Sequence, residues 1–216
     1  MLPGPDQIIE CPHCHALARY GTLISGNTFG ARLWTDGKQL APMLPEVPPF
    51  TRCPACQAFY WVEDAPEVGQ LNRWGDIKPG TPQAWADAPE VQEPSPEEYQ
   101  EVLARGRPDG LTGERWEHLL IRAWHRYNDA YRELPAGTGA PALPEPIRTN
   151  MVTLTSVLTG ESPSDHLLRA ELQRQLGNMT QARRELQNVH DAPELVSQML
   201  HLIEAGDATV REFQWE

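Results

Sequence analysis

Hydrophobic positions recur along this chain in two different rhythms. In roughly the first quarter they form short runs with strand-like content, Ala18 to Ile24, Ala31 to Thr35 and Phe59-Tyr60-Trp61-Val62, as β-structure requires. Asp36-Gly37 is a strong two-residue hairpin signal, because both central positions of that turn take positive φ. Trp34, Tyr60 and Trp61 are expected to cover the small core that these strands enclose.

Beyond residue 95 the apolar positions switch to helical spacing. Ser95-Pro96-Glu97-Glu98 joins an N-cap, a first-position proline and a capping-box glutamate. Thr112 caps the next helix, where Trp116, Leu119, Leu120, Ala123, Trp124, Tyr127 and Tyr131 form one broad stripe. After a Pro/Gly-rich break over 135–146, Met151, Leu154, Val157 and Leu158 mark another helical face, which Gly160 ends. Ser164 is read as the cap of a helix carrying Leu167, Leu168, Leu172 and Leu176, with Gly177 as its left-handed stop. Met179 to Val189 make the next helix, and Asp191-Ala192-Pro193-Glu194 opens one with Leu195, Met199, Leu202 and Ile203. The tail from Thr209 to Trp215 alternates, as a pairing or docking strand would.

Between the two rhythms, residues 65–94 are rich in Pro, Ala, Asp, Glu and Trp and include Lys78-Pro79-Gly80-Thr81-Pro82. Such a segment makes no long helix and no central strand. Trp74 and Trp85 argue that it wraps a neighbouring surface, since a free linker gains nothing from side chains of that area.

The chemistry lies in the four cysteines, Cys11-Pro12-His13-Cys14 and Cys53-Pro54-Ala55-Cys56. Two Cys-x-x-Cys pairs supply the tetrahedral sulfur shell that zinc prefers, and a closed shell of four thiolates leaves no position for substrate. His13 and His15 flank this set and are read as exposed knuckle residues. The order of knuckle, strands with a hairpin, knuckle and strand resembles a zinc ribbon over residues 7–64, and the resemblance implies a structural Zn²⁺ held by Cys11, Cys14, Cys53 and Cys56. Zinc-ribbon and rubredoxin-like knuckles usually carry Gly after the second Cys, where this chain has His15 and Gln57. That departure favours structural zinc over an iron electron-transfer centre. Ala170, Gly177, Met179, Ala182 and Leu186 resemble the small-residue pattern of a tetratricopeptide repeat over about one unit, 164–190. Met179 stands where an aromatic is usual, and Pro193 comes one place early. A solenoid needs about three such units, so one repeat-like hairpin is expected.

The expected fold class is α+β, a small β-rich zinc ribbon (7–64), an acidic Pro-rich wrapping linker (65–94) and an antiparallel helical domain (95–216). The chain has 216 residues, 21 prolines and a net charge of −12. That charge is spread as −2 over 1–66, −5 over 67–98 and −5 over 99–216, so no segment has the basic footprint of a nucleic-acid binder. No stretch reaches the ~20 apolar residues of a membrane span, and the N-terminus has no export-signal pattern. Paired thiols then fit a reducing cytoplasm.

Catalytic constellations are scarce. His118, Arg122 and His125 share one helix face with Glu114 nearby, but histidines two turns apart bite one ion poorly. An enzyme using His118 or His125 as a base is therefore the weakest reading. The one best supported is a cytoplasmic adaptor recognising another protein, in its specific form an immunity or antitoxin protein masking a basic partner. The alternative is a zinc-ribbon factor acting with nucleic acid or the transcription and translation machinery.

Overall fold

In the computed structural model, described over residues 1–72, 80–135, 138–139 and 142–215, the chain divides into two units. One comprises 1–31 with 40–94, the other 32–39 with 95–216. Small sheets and a set of helices together make the fold α+β.

The first unit is built on a three-stranded sheet ordered β2-β1-β7, in which β1 (Leu2–Glu10) lies between β2 (Leu17–Ser25) and β7 (Glu67–Leu71), antiparallel to both. Pro3 and Pro5 make the start of β1 read as coil, and the β1–β2 register does shift on either side of Pro3. Beyond it, Ile8 and Ile9 are fully buried and fix the strand. A second hairpin pairs β5 (Phe50–Arg52) with β6 (Phe59–Trp61), setting Thr51 against Tyr60.

The described residues of segment 65–94 lie against this sheet. β7 is part of it, and residues 89–91 run along Arg19, with Arg19 N–H donating to Pro89 O and Val91 N–H to Arg19 O. Trp85, in the short α1 (Gln83–Ala86), lies so close over Gly69 that a Cβ there would run into its ring. Gly69→Val is therefore expected to displace Trp85 and cost about 1–3 kcal/mol, read as a lower melting temperature with altered tryptophan emission. Trp74, Lys78 and Pro79 lie outside the described residues.

The second unit holds α2 (Pro96–Leu103), α3 (Gly113–Asn128), α4 (Glu145–Val157), α5 (Pro163–Gln175), α6 (Met179–Leu186) and α7 (Pro193–Glu204). Ser95 forms the full capping box with Glu98, and Thr112 accepts from Arg115 N–H. Ser162, not Ser164, caps α5. Its hydroxyl accepts from Asp165 N–H at 3.0 Å, and Pro163 takes the first helical position. Trp116, Leu119, Leu120, Ala123 and Trp124 bury the α3 stripe, while Ala170, Ala182, Leu186, Met199, Ile203 and Phe213 form a core between α5, α6, α7 and the tail.

Residues 32–39 belong to this helical unit. Short strands β3 (Arg32–Leu33) and β4 (Gln39–Leu40) flank a turn in which Gly37 N–H donates to Trp34 O and Trp34 N–H to Lys38 O. Only Gly37 takes positive φ (80°), so Asp36-Gly37 ends a longer loop instead of forming the two-residue turn expected. Trp34, fully buried here, is not a cover for the β-rich core. The tail pairs with this hairpin as its alternation suggested: Phe213 N–H donates to Leu33 O and Thr35 N–H to Arg211 O, both at 2.8 Å.

Two buried ionic clusters hold the hairpin. Asp36 accepts both ends of the Arg132 guanidinium, at 3.1 and 2.7 Å, and the Asn128 amide at 2.9 Å. Thr35 Oγ1 donates to Glu171, which pairs with the equally buried Arg174. Arg174 in turn donates to the carbonyls of Asp207 and Thr209.

Candidate metal centre

Each cysteine pair sits at the tip of a hairpin, the first between β1 and β2, the second between β5 and β6. The two tips repeat one geometry. Cys11 N–H donates to Ala16 O and His15 N–H to Cys11 O, and Cys53 N–H to Ala58 O and Gln57 N–H to Cys53 O, all at 2.9 Å. Within each turn the backbone is aimed at sulfur, with the amides of His13 and Cys14 directed at Cys11 and those of Ala55 and Cys56 at Cys53.

His15 and Gln57 are the only non-glycine residues with positive φ among those described, at 60° and 63°. The knuckle imposes the left-handed conformation whether or not glycine is present. Gln57 has local support, since its side-chain amide donates to Pro54 O at 2.9 Å. His15 has only a 3.4 Å approach to Glu10 and is 75% exposed. His15→Gly is thus expected to be neutral or to stabilise by up to about 1 kcal/mol, and His15→Val to destabilise by about 1–2 kcal/mol, read in thermal melts of the metal-loaded protein.

The four sulfurs converge. Cys11 and Cys56 are 3.8 Å apart, Cys14 and Cys53 3.7 Å, and all four Sγ atoms lie within 4.8 Å of one another. Sulfurs placed about 2.3 Å from a common centre form a tetrahedron with edges of about 3.8 Å, whereas a disulfide closes to about 2.05 Å. The spacing is that of four ligands to one ion.

Electrostatics points the same way. Burial pushes the Cys53 thiol up, but the Cys56 and Ala55 amides and neighbouring thiols outweigh it and bring it down to about 7. At Cys14 the Ala16 amide pulls down, and the Cys56 sulfur, then burial and the remaining sulfurs, carry the thiol up to about 12. Thiolates this close repel one another when ionised together, and a divalent cation removes the conflict by replacing the protons. Tyr60, packed in the same core as Cys11 and Cys53, is raised to about 12 by burial and then by the four sulfurs. Cys11 and Cys53 are 1% and 2% exposed, while Cys14 and Cys56 lie on the surface.

The histidines do not join this cluster. Among the described residues the group able to hold a metal consists of the four cysteines, without His13, His15, His118 or His125. His125 Nε2 lies 2.9 Å from Asp36 O; a carbonyl only accepts, so Nε2 carries the proton. Burial holds this imidazole below the ordinary histidine value, hence neutral. It also lines a groove of about 410 Å³ in the helical unit, with Leu33, Trp34, Ile121, Leu168 and Phe213.

No protein family, curated protein or solved structure was found to match this chain. No helix among the described residues is long and apolar enough to cross a membrane.

Proposed function

We propose that this chain is a zinc-stabilised cytoplasmic adaptor that recognises another protein, and that its specific role is of the immunity or antitoxin type, masking a basic partner. Four sulfurs at tetrahedral spacing leave no open coordination position, which supports zinc as a structural ion within a zinc-ribbon arrangement.

The observation that carries the binding reading is apolar exposure on the cysteine-bearing unit. Ile24 and Phe29 are 69% and 81% exposed, and Leu44 is 46% exposed on a loop joined to theirs by Asn27 N–H donating to Met43 O. Apolar side chains exposed together on two joined loops support an interaction surface here. The net charge of −12 adds attraction for a basic partner.

The test is to purify the chain with a gentle tag, measure its metal by elemental analysis and identify co-purifying molecules at low and physiological salt. One zinc per chain with a stoichiometric basic protein, lost on Phe29→Ser, is expected. Nucleic acid or ribosomal components in its place would support the zinc-ribbon factor reading instead.

A further inference from the structure

The two knuckles are alike in backbone but each divides its sulfurs in the same unequal way. The first cysteine of each pair, Cys11 and Cys53, is sealed in the core with Ile9, Ala18, Tyr60 and Val62, while the second, Cys14 and Cys56, faces solvent. Each exposed sulfur has a buried one from the opposite knuckle beside it, Cys53 at 3.7 Å from Cys14 and Cys11 at 3.8 Å from Cys56. A closed coordination shell is thus open to attack on one edge, with a resolving thiolate already in place behind each exposed sulfur.

We propose that Cys14 and Cys56 form an oxidant-modification site, at which peroxide attack on either sulfur leads to a cross-knuckle disulfide and release of the metal. This rests on the zinc reading above. The Cys14 or Cys56 thiolate attacks a peroxide oxygen, the O–O bond breaks, hydroxide leaves and a sulfenic acid remains. The buried thiolate across the site, Cys53 or Cys11, then attacks that sulfur, and the S–S bond forms as a second hydroxide leaves. Two thiolates lose two electrons and one peroxide gains them. The sulfurs close from 3.7 or 3.8 Å to about 2.05 Å. Only two thiolates remain for the ion, half the shell that zinc needs.

The full-length protein is first assayed for zinc, then titrated with hydrogen peroxide in the presence of a chromogenic zinc chelator and mapped by non-reducing peptide mass spectrometry. The expected result is one zinc released per peroxide consumed, with Cys14 joined to Cys53 or Cys56 to Cys11, reversed by dithiothreitol and added zinc. Zinc retained through excess peroxide, or first disulfides within a knuckle, Cys11 to Cys14 or Cys53 to Cys56, would overturn the proposal. Limiting maleimide provides a second measurement: Cys14 and Cys56 should be labelled before Cys11 and Cys53, and equal labelling would also overturn it. Protein that holds no zinc, even after reconstitution, overturns the zinc reading itself, and the maleimide order still reports on the unequal exposure of the sulfurs.

Discussion

Replacing Arg132 by methionine is expected to destabilise the helical unit by about 3–5 kcal/mol, because it strands a carboxylate that has no access to water. Asp36 is fully buried and takes both ends of the Arg132 guanidinium. Burial alone would raise this carboxyl, but the Arg132 guanidinium and the Asn128 amide outweigh it and hold it below the usual carboxylate range. In the native protein the carboxyl therefore contributes stability above its unfolded value of about 3.9, and this is lost as pH falls through the lower folded value. Without Arg132 no guanidinium charge offsets burial and only neutral donors, the Asn128 amide among them, remain, so the folded value is expected to rise above the unfolded one. The sign then reverses, so that Arg132→Met should gain stability on acidification from pH 7 toward 5, where the wild-type protein gains none from this group. The double variant Asp36→Asn/Arg132→Met removes both charges and should recover most of the loss. Denaturant unfolding at pH 5 and pH 7, followed by far-ultraviolet dichroism, checks all three. A single variant within about 1 kcal/mol of wild type at both pH values would show that the pair is not the uncompensated charge that breaking a buried ion pair leaves.

Asp36 also marks the limit of what the sequence disclosed. The turn at Asp36-Gly37 was legible, since glycine near a polar residue between apolar runs is a local signal. Its place in the fold was not: Arg132 lies 96 residues away along the chain, and no periodicity relates an aspartate in a hairpin to an arginine just past a helix. Trp34 was assigned to the wrong core for the same reason. The first strand escaped notice because Pro3 and Pro5 are local breakers, whereas the burial of Ile8 and Ile9 between two neighbouring strands is a tertiary effect that overrides them. Helix starts were read well where cap and N3 residue agree, as at Ser95, and misplaced where two serines flank a proline, as at Ser162 and Ser164. The cysteine cluster was the most legible feature of all. A Cys-x-x-Cys turn fixes its two sulfurs locally, and four cysteines in two such turns leave one closed arrangement.

Replacing Cys53 by serine is expected to abolish metal binding and unfold the cysteine-bearing unit while the helices persist. Structural zinc sites supply about 10–16 kcal/mol of apparent binding free energy in isolated zinc-finger peptides, more than a unit of this size holds in reserve. Cys53 and Cys11 are themselves part of the packed core around Ile9, Ala18, Tyr60 and Val62. The substitution therefore removes one of the four sulfur ligands and leaves a hydroxyl, which soft thiolate-preferring metals bind poorly, in its place. The buried ion pairs Asp36–Arg132 and Glu171–Arg174, and the core around Ala170, Leu186 and Met199, all lie within the other unit. Near-ultraviolet dichroism from Tyr60 and Trp61 should collapse, and the amides of Ile8 and Ile9 should lose protection from hydrogen exchange. Far-ultraviolet helix signal and amide protection in α3 and α5 should stay near wild type. A strong chelator added to the unmodified protein should reproduce the same pattern, which separates loss of the ion from the hydroxyl's own effect. Unchanged near-ultraviolet dichroism in Cys53→Ser would mean that the strands of this unit stand without the ion, and melting of the helices alongside it would mean that the two units fold as one.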